Sequence, residues 1–340
     1  MKKSRGDDII NVRNNLKSAG RTASGAEETL MRKYRIGVDL GGTNIAAGIV
    51  DEEFSIVKKA SVKTDVACGA EKICRDIDSL CRSVCAEAGI PYEEAIAAVG
   101  VGSPRIIRDG VVINADNLRF SGVPLAAMLE KLTGKPVSLR NDGNAAAYGE
   151  FAAGCGKGHS SLVAITLGTG VGGGIIINGK IIEGSGGGAG ELGHTVIRAG
   201  GRKCVCGKTG CLEAYCSATA LIKSTVRAMQ NNPDSLIWQV SRSTSLVSGR
   251  TAFDAMRLGD PIASGIVAAF VSDLAVGVSN VINLLQPEVV CIGGGISREG
   301  DTLISPLTDA VIPMLCAPLA TKILPAALGN DAGIIGAAAE

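Results

Sequence analysis

Ile36-Gly-Val-Asp-Leu-Gly-Gly-Thr-Asn-Ile-Ala-Ala-Gly-Ile-Val-Asp51 is matched 127 positions further on by Val163-Ala-Ile-Thr-Leu-Gly-Thr-Gly-Val-Gly-Gly-Gly-Ile-Ile-Ile-Asn178. Laid together without gaps, both stretches read as strand, Leu-Gly turn, strand, then an Asp or Asn turn. A hairpin with a glycine-rich tip, present once in each half, predicts two related domains facing each other across a ligand-binding cleft.

Outward from these hairpins the chain alternates strands and helices, the pattern of an α/β protein. Strands are expected over 34–38, 45–50, 96–102 and 137–140, and helices over 70–88 and 125–133. Another helix is expected from 144 to 153, behind an Asn-Asp-Gly turn. Residues 1–33 lack a sustained apolar period and read as a flexible extension. The expected organisation is that extension, a smaller α/β domain over 34–140 completed by a C-terminal helix over 331–340, and a larger α/β domain over 141–330.

Of the 340 residues, 46% are hydrophobic and the formal net charge is +1. Mean hydropathy is +0.27. That balance fits a well-buried globular protein and offers no case for nucleic acid or an anionic membrane as partner. One Trp, four Tyr and five Phe are too few for base-stacking platforms. Eleven cysteines form an odd set without a secretory signal. Cys74, Cys81 and Cys85 share a helical face with Ile77 and Val84, where thiols act as small core hydrophobes. A reducing cytoplasm follows. The apolar run 262–285 contains Asp273 and two asparagines, so it reads as a buried helix, not a membrane span.

Four potential metal ligands lie close together in GELGHTVIRAGGRKCVCGKTGCLE, residues 190–213. His194, Cys204, Cys206 and Cys211 make a full tetrahedral set for a structural Zn²⁺, a knuckle over 194–211. Glu191 and Glu213 flank the set and are free for another task. The rival reading is a loop of buried thiols beside an incidental histidine.

The tips Gly41-Gly42-Thr43-Asn44 and Gly168-Thr169-Gly170 suit phosphate, because glycine lets backbone N–H groups approach an anion closely. Gly168, Gly170 and Gly173 also satisfy G-x-G-x-x-G, but a strand follows where a dinucleotide site needs a helix. Gly293-Gly294-Gly295, after an apolar strand, suits either a flat adenosine or a tightly packed helix start. Asp142 reads either as a helix N-cap or as a general base kept ionised at a helix N-terminus. Asn114 and Asn117, placed on a loop after a strand, read as turn formers or as partners for a polyol.

From about residue 35 onward these motifs resemble the ROK family of bacterial sugar kinases and sugar-responsive repressors. That family lies within the actin, hexokinase and ribonuclease-H-like superfamily. The matching stretches are Asp39–Asn44, Asn141-Asp142-Gly-Asn, Leu167–Gly174, Gly190–His194, the Cys204–Glu213 run and Gly293–Gly295. The resemblance implies a two-domain actin-like ATPase fold with an interdomain cleft. It also implies ATP-dependent phosphorylation of a hexose at its 6-hydroxyl, glucose first, with N-acetylmannosamine, N-acetylglucosamine, allose and fructose as alternatives.

By the same resemblance, Asp142 is the base, and Asn117, Asn141, Glu191, His194 and Glu213 bind sugar. His194 does so while ligating zinc through its other ring nitrogen. Asp39, Gly41, Gly42, Thr43, Asn44, Gly168, Thr169, Gly170, Gly293 and Gly294 serve ATP and Mg²⁺, and the protein is a cytoplasmic homodimer. One departure stands in Gly102-Ser103-Pro104-Arg105, where the family commonly has a Pro-Gly pair. The arginine there is expected either to turn to solvent or to reshape the sugar pocket. Two rival classes are a sugar-sensing regulator, which commonly has a preceding DNA-binding domain and often lacks the base, and a chaperone-type ATPase, which has no use for the knuckle.

Overall fold

The computed structural model describes residues 34–339, so the expected extension over 1–33 lies outside the described residues. Two five-stranded sheets share one strand order. The first runs β3-β2-β1-β4-β8, from β1 (Tyr34–Leu40), β2 (Asn44–Val50), β3 (Ile56–Lys63), β4 (Ile96–Ser103) and β8 (Val137–Asn141). The second runs β11-β10-β9-β12-β13, from β9 (Leu162–Leu167), β10 (Val171–Ile177), β11 (Lys180–Ile181), β12 (Val289–Gly293) and β13 (Lys322–Pro325). In each, an antiparallel hairpin continues into two parallel strands. The duplication read from the hairpins therefore extends to the sheets.

The gapless match between the hairpins needs one correction. Leu40 pairs with Ile45 across a four-residue tip, whereas Leu167 pairs with Val171 across only three residues. The second copy is one residue shorter at the turn, so β10 is displaced by one position against β2. Gly172-Gly173-Gly174 hid the slip, because a run of identical small residues matches equally well in either register.

Helix α1 (Gly69–Ala88) buries Ile73, Cys74, Ile77, Leu80, Cys81, Val84 and Cys85 against the first sheet. Each large apolar side chain buried this way stabilises the fold by roughly 1.5–3 kcal/mol. The helix stops at Gly89, whose φ of 66° lets its N–H reach the last carbonyls. Residues between β4 and α2 (Leu125–Thr133) form a small sheet of β5 (Ile106–Arg108), β6 (Val111–Ala115) and β7 (Phe120–Val123) that the sequence reading did not anticipate. Asn114 consequently lies within β6, paired with Ser121, instead of on a loop. Asn117 does sit in a turn, between β6 and β7.

Helix α3 (Asp142–Ala152) follows β8 without a break and packs against β10 of the second sheet. The second sheet is covered by α4 (Ala218–Asn231), α5 (Thr251–Arg257), α6 (Pro261–Leu285) and α7 (Asp301–Val311) around one apolar core. Helix α6 is long and apolar enough to cross a membrane by length and composition alone. Its start is fixed by Asp260, whose carboxylate accepts the Ala263 N–H at 2.7 Å, with Pro261 behind it. Its Val267, Phe270, Val271, Leu274 and Val278 belong to the core.

The last helix, α8 (Ala332–Ala338), lies on β1, β4 and α3. Its backbone comes so close that a Cβ at Gly37 would sit 1.8 Å from the Ile334 carbonyl oxygen, and one at Gly100 1.7 Å from that of Ala337. Only glycine fits at either strand position.

Candidate active site

Asn141, not Asp142, caps α3. Its Oδ1 accepts the Asn144 N–H at 3.1 Å, and its Nδ2 donates to the Arg105 carbonyl at 3.0 Å. Asp142 stands in the first turn with its Oδ1 accepting the Gly143 N–H at 2.8 Å, so its second oxygen is left for other partners. It lines a cleft of 790 Å³ together with Asn117, Asn141, Glu191, His194 and Glu213. All six residues expected at the base and the sugar thus share one wall system.

Of the residues expected at the nucleotide, Asp39, Gly168, Thr169, Gly170 and Gly294 also line this cleft. Gly41, Thr43 and Asn44 are not among its lining residues, and Gly42 lies against Asn117 behind it, where a Cβ would be 3.1 Å from the Asn117 oxygen. Gly293 borders a second cavity of 310 Å³ that shares Thr166, Gly294, Gly329 and Asn330 with the cleft. Gly294 has φ 85°, and a side chain there would strike the Leu167 backbone. Close packing thus explains one glycine of this run, and the cavity beside it leaves room for a ligand.

The four metal-ligand candidates converge. His194 Nδ1 lies 3.7 Å from Cys204 Sγ, Cys206 Sγ lies 3.7 Å from Cys211 Sγ, and all four donor atoms fall within 4.8 Å of one another. A tetrahedral ion with metal–sulfur bonds of about 2.3 Å needs donors about 3.7 Å apart, so the set fits one ion. The other ring nitrogen of His194, Nε2, is turned towards Glu191 at 3.9 Å. Glu213 links the knuckle to the second hairpin: Oε1 lies 3.6 Å from Cys204 Sγ, and Oε2 accepts the Val171 N–H at 3.0 Å. This contact requires Gly170, where a Cβ would come within 2.4 Å of Oε2.

The cleft is electrostatically strained. Burial, reinforced by the negative charge of Asp142, pushes the Asp39 carboxyl up to about 6. Crowding by protein also raises Asp142 above the ordinary aspartate value; the Gly143 N–H opposes the rise and Glu191 adds to it. Folding favours protonated Asp39, so its stabilising contribution is present at pH 4 and is lost as pH rises through about 6. In ligand- and metal-free protein, Asp39→Asn should match wild type near pH 4 and exceed it by about 2 kcal/mol at pH 7. Urea midpoints at the two pH values measure this, and equal midpoints at pH 7 would refute it.

Arg105 has φ 71°, a left-handed conformation natural to the glycine of the expected Pro-Gly pair. Its side chain is 59% exposed, with Nη2 3.9 Å from Asp116 Oδ2, and the residue lines the cleft, where its positive charge opposes the rise at Asp142.

The sequence reading overlooked several residues around the cleft. Asn330 and Asp116 line it without belonging to any recognisable motif. Buried Glu150 accepts N–H bonds from Cys155 at 3.1 Å, Ala327 at 3.0 Å and Leu328 at 2.8 Å, and so ties α3 to the loop before α8. A lone glutamate inside the apolar run 145–153 was the available signal.

A family model described as the ROK family matches residues 35–339. The chain belongs to the ROK family. It is 40% identical over 308 residues to a glucokinase of Thermotoga maritima, covering 89% of this chain and 95% of that one. It is similar in structure to a ROK family glucokinase from Streptomyces griseus solved with glucose and AMPPNP, with a TM-score of 0.75 and 34% identity. That match covers 90% of this chain and 98% of the other. A ROK hexokinase from Thermus thermophilus matches with a TM-score of 0.76 and 32% identity, over 90% and 96% of the two chains. The two-sheet α/β architecture with a cleft is accordingly the actin-like ATPase fold of this ROK family.

Proposed function

We propose that the protein is an ATP-dependent hexose kinase that phosphorylates glucose at its 6-hydroxyl. One observation carries the reading: Asp142, the knuckle-anchored Glu191, His194 and Glu213, and the tip Gly168–Gly170 all line one cleft. Kinship with glucokinases at 34–40% identity supports the same reaction.

Asn117, Asn141, Glu191, His194 Nε2 and Glu213 orient the sugar so that its 6-hydroxyl meets the Asp142 carboxylate. Asp142 takes the proton as the hydroxyl oxygen attacks the γ-phosphorus, the bond between that phosphorus and the β–γ bridging oxygen breaks, and ADP leaves with the electron pair. Phosphoryl transfer has a loose transition state, so positioning and charge neutralisation do most of the work. The tip amides of Gly168–Gly170 receive the phosphates, and the Gly293-Gly294 turn with its adjoining cavity receives the adenosine. Mg²⁺ carried with ATP would supply charge neutralisation for the phosphates, and Asp39, which lines the cleft, would be the carboxylate to hold it.

We assign a structural Zn²⁺ to His194, Cys204, Cys206 and Cys211 on the donor separations given above; it locks the loop carrying the sugar-binding carboxylates. The two sheets are read as a smaller domain over 34–140 completed by α8 and a larger one over 141–330. Cys74, Cys81, Cys85, Cys216 and Cys291 are buried thiols packed as small hydrophobes, which supports a reducing cytoplasm. A homodimer is proposed on family resemblance.

Release of ADP in the presence of each of glucose, N-acetylmannosamine, N-acetylglucosamine, allose and fructose, and without sugar, tests the proposal. Glucose should give the highest kcat/KM with little sugar-free hydrolysis. Turnover independent of sugar would favour an actin-like ATPase, and no turnover with any sugar would favour a sensor.

A further inference from the structure

A groove of 680 Å³ opens from the second hairpin tip, between the knuckle loop and α4. Its lining includes Thr169 and Gly170 of the tip, Arg202 and Lys203 from the knuckle loop, and Lys223 and Arg227 from one face of α4. Among the described residues, Lys203, Lys223 and Arg227 form no ion pair and no side-chain hydrogen bond. Arg202 is held over the Tyr215 ring at 4.7 Å and donates to the Ala214 carbonyl, with no carboxylate partner. The only acidic lining residue is Glu213, whose Oε2 is engaged by the Val171 N–H.

Like charges spaced i,i+4 on a helix repel, and here such a pair faces two more cations across a concave surface. In a chain of net charge +1 this concentration is local and not a property of the whole surface. Four cations exceed what one carboxylate can engage. Arginine forks and lysine ammonium groups together suit an anion with several phosphoryl groups. The volume lies within the range of small-molecule sites, roughly 300–1,000 Å³.

We infer that this groove is a polyphosphoryl-binding site continuous with the phosphate tip. The sequence reading found few cations in the glycine loops; the fold brings four in from elsewhere. The inference rests on reading Gly168–Gly170 as a phosphate contact, and it leaves the identity of the sugar aside. Two sources share the chemistry: the triphosphate tail of the nucleotide, and a free phosphate-rich anion.

Inorganic tripolyphosphate titrated calorimetrically into the full chain at about 50 mM salt tests the site. Wild type should bind. Lys223→Ala/Arg227→Ala should bind at least about tenfold more weakly while melting within about 2 °C of wild type. Should that variant fail to fold, Arg202→Gln/Lys203→Gln removes charge from the opposite wall. Binding that survives saturating AMPPNP assigns the groove to a free anion, and binding abolished by AMPPNP assigns it to the nucleotide's own phosphates. Absence of binding by wild type, or equal binding by wild type and charge-removed protein, overturns the inference. Glucose-dependent ADP release by the same wild-type preparation reports separately on the kinase reading.

Discussion

Asp142→Asn should lower kcat with glucose and ATP by about 10³-fold while leaving the glucose KM within a few-fold of wild type. The substitution keeps the size and the hydrogen bond to the Gly143 N–H but removes the basic oxygen. Because Asn141 supplies the cap of α3, the helix start survives the change, and the loss can be assigned to chemistry. The carboxylate is the only one at this helix start, and its pKa is raised by crowding, which makes it a stronger base than an exposed aspartate. Initial-rate kinetics, with AMPPNP binding as a control for the nucleotide side, make the measurement. A variant that keeps a tenth of wild-type turnover would exclude Asp142 as the base.

The second large effect is expected at the knuckle. On the zinc assignment proposed above, Cys211→Ser should abolish metal binding, weaken glucose binding by about 10–100-fold and lower Tm by several degrees, because the ion would fix the loop carrying Glu191 and Glu213. Cys211 is fully buried and its backbone pairs with Val196, so the substitution removes the ligand while leaving that pairing in place. A strong chelator should reproduce the effect on wild type, and added zinc should reverse it. Elemental analysis supplies the independent readout: protein purified without zinc that binds glucose normally would defeat the assignment.

Much of this arrangement was legible in the residues because it depends on local chemistry. The strand–tip–strand hairpins, the amphipathic face of Cys74, Ile77, Cys81 and Val84, and the Cys-x-Cys spacing each carry their own signal. The gaps have physical causes. The one-residue difference at the second tip was hidden by the glycine run 172–174, which has no side chains to mark a register. The small sheet β5–β7 was missed because its strands are three to five residues long, too short for a periodic pattern. Asp142 stayed open between cap and base because Asn141 and Asp142 are equally good caps by type, and only the direction of the chain leaving β8 separates them. The cationic groove was invisible because Lys203 and Lys223 meet only in three dimensions.

The placement of α8 bears on how the molecule is made. The sheet that begins the described chain has one surface closed by a helix from the other end of the described residues, backbone against backbone at Gly37 and Gly100. On the ribosome, β1, β2 and β4 must therefore wait with that surface open until α8 has been made, by which point the last strand of the second sheet, β13, has already emerged. The first sheet thus departs from the usual first-out, first-folded order, since it emerges before the second sheet and is completed after it.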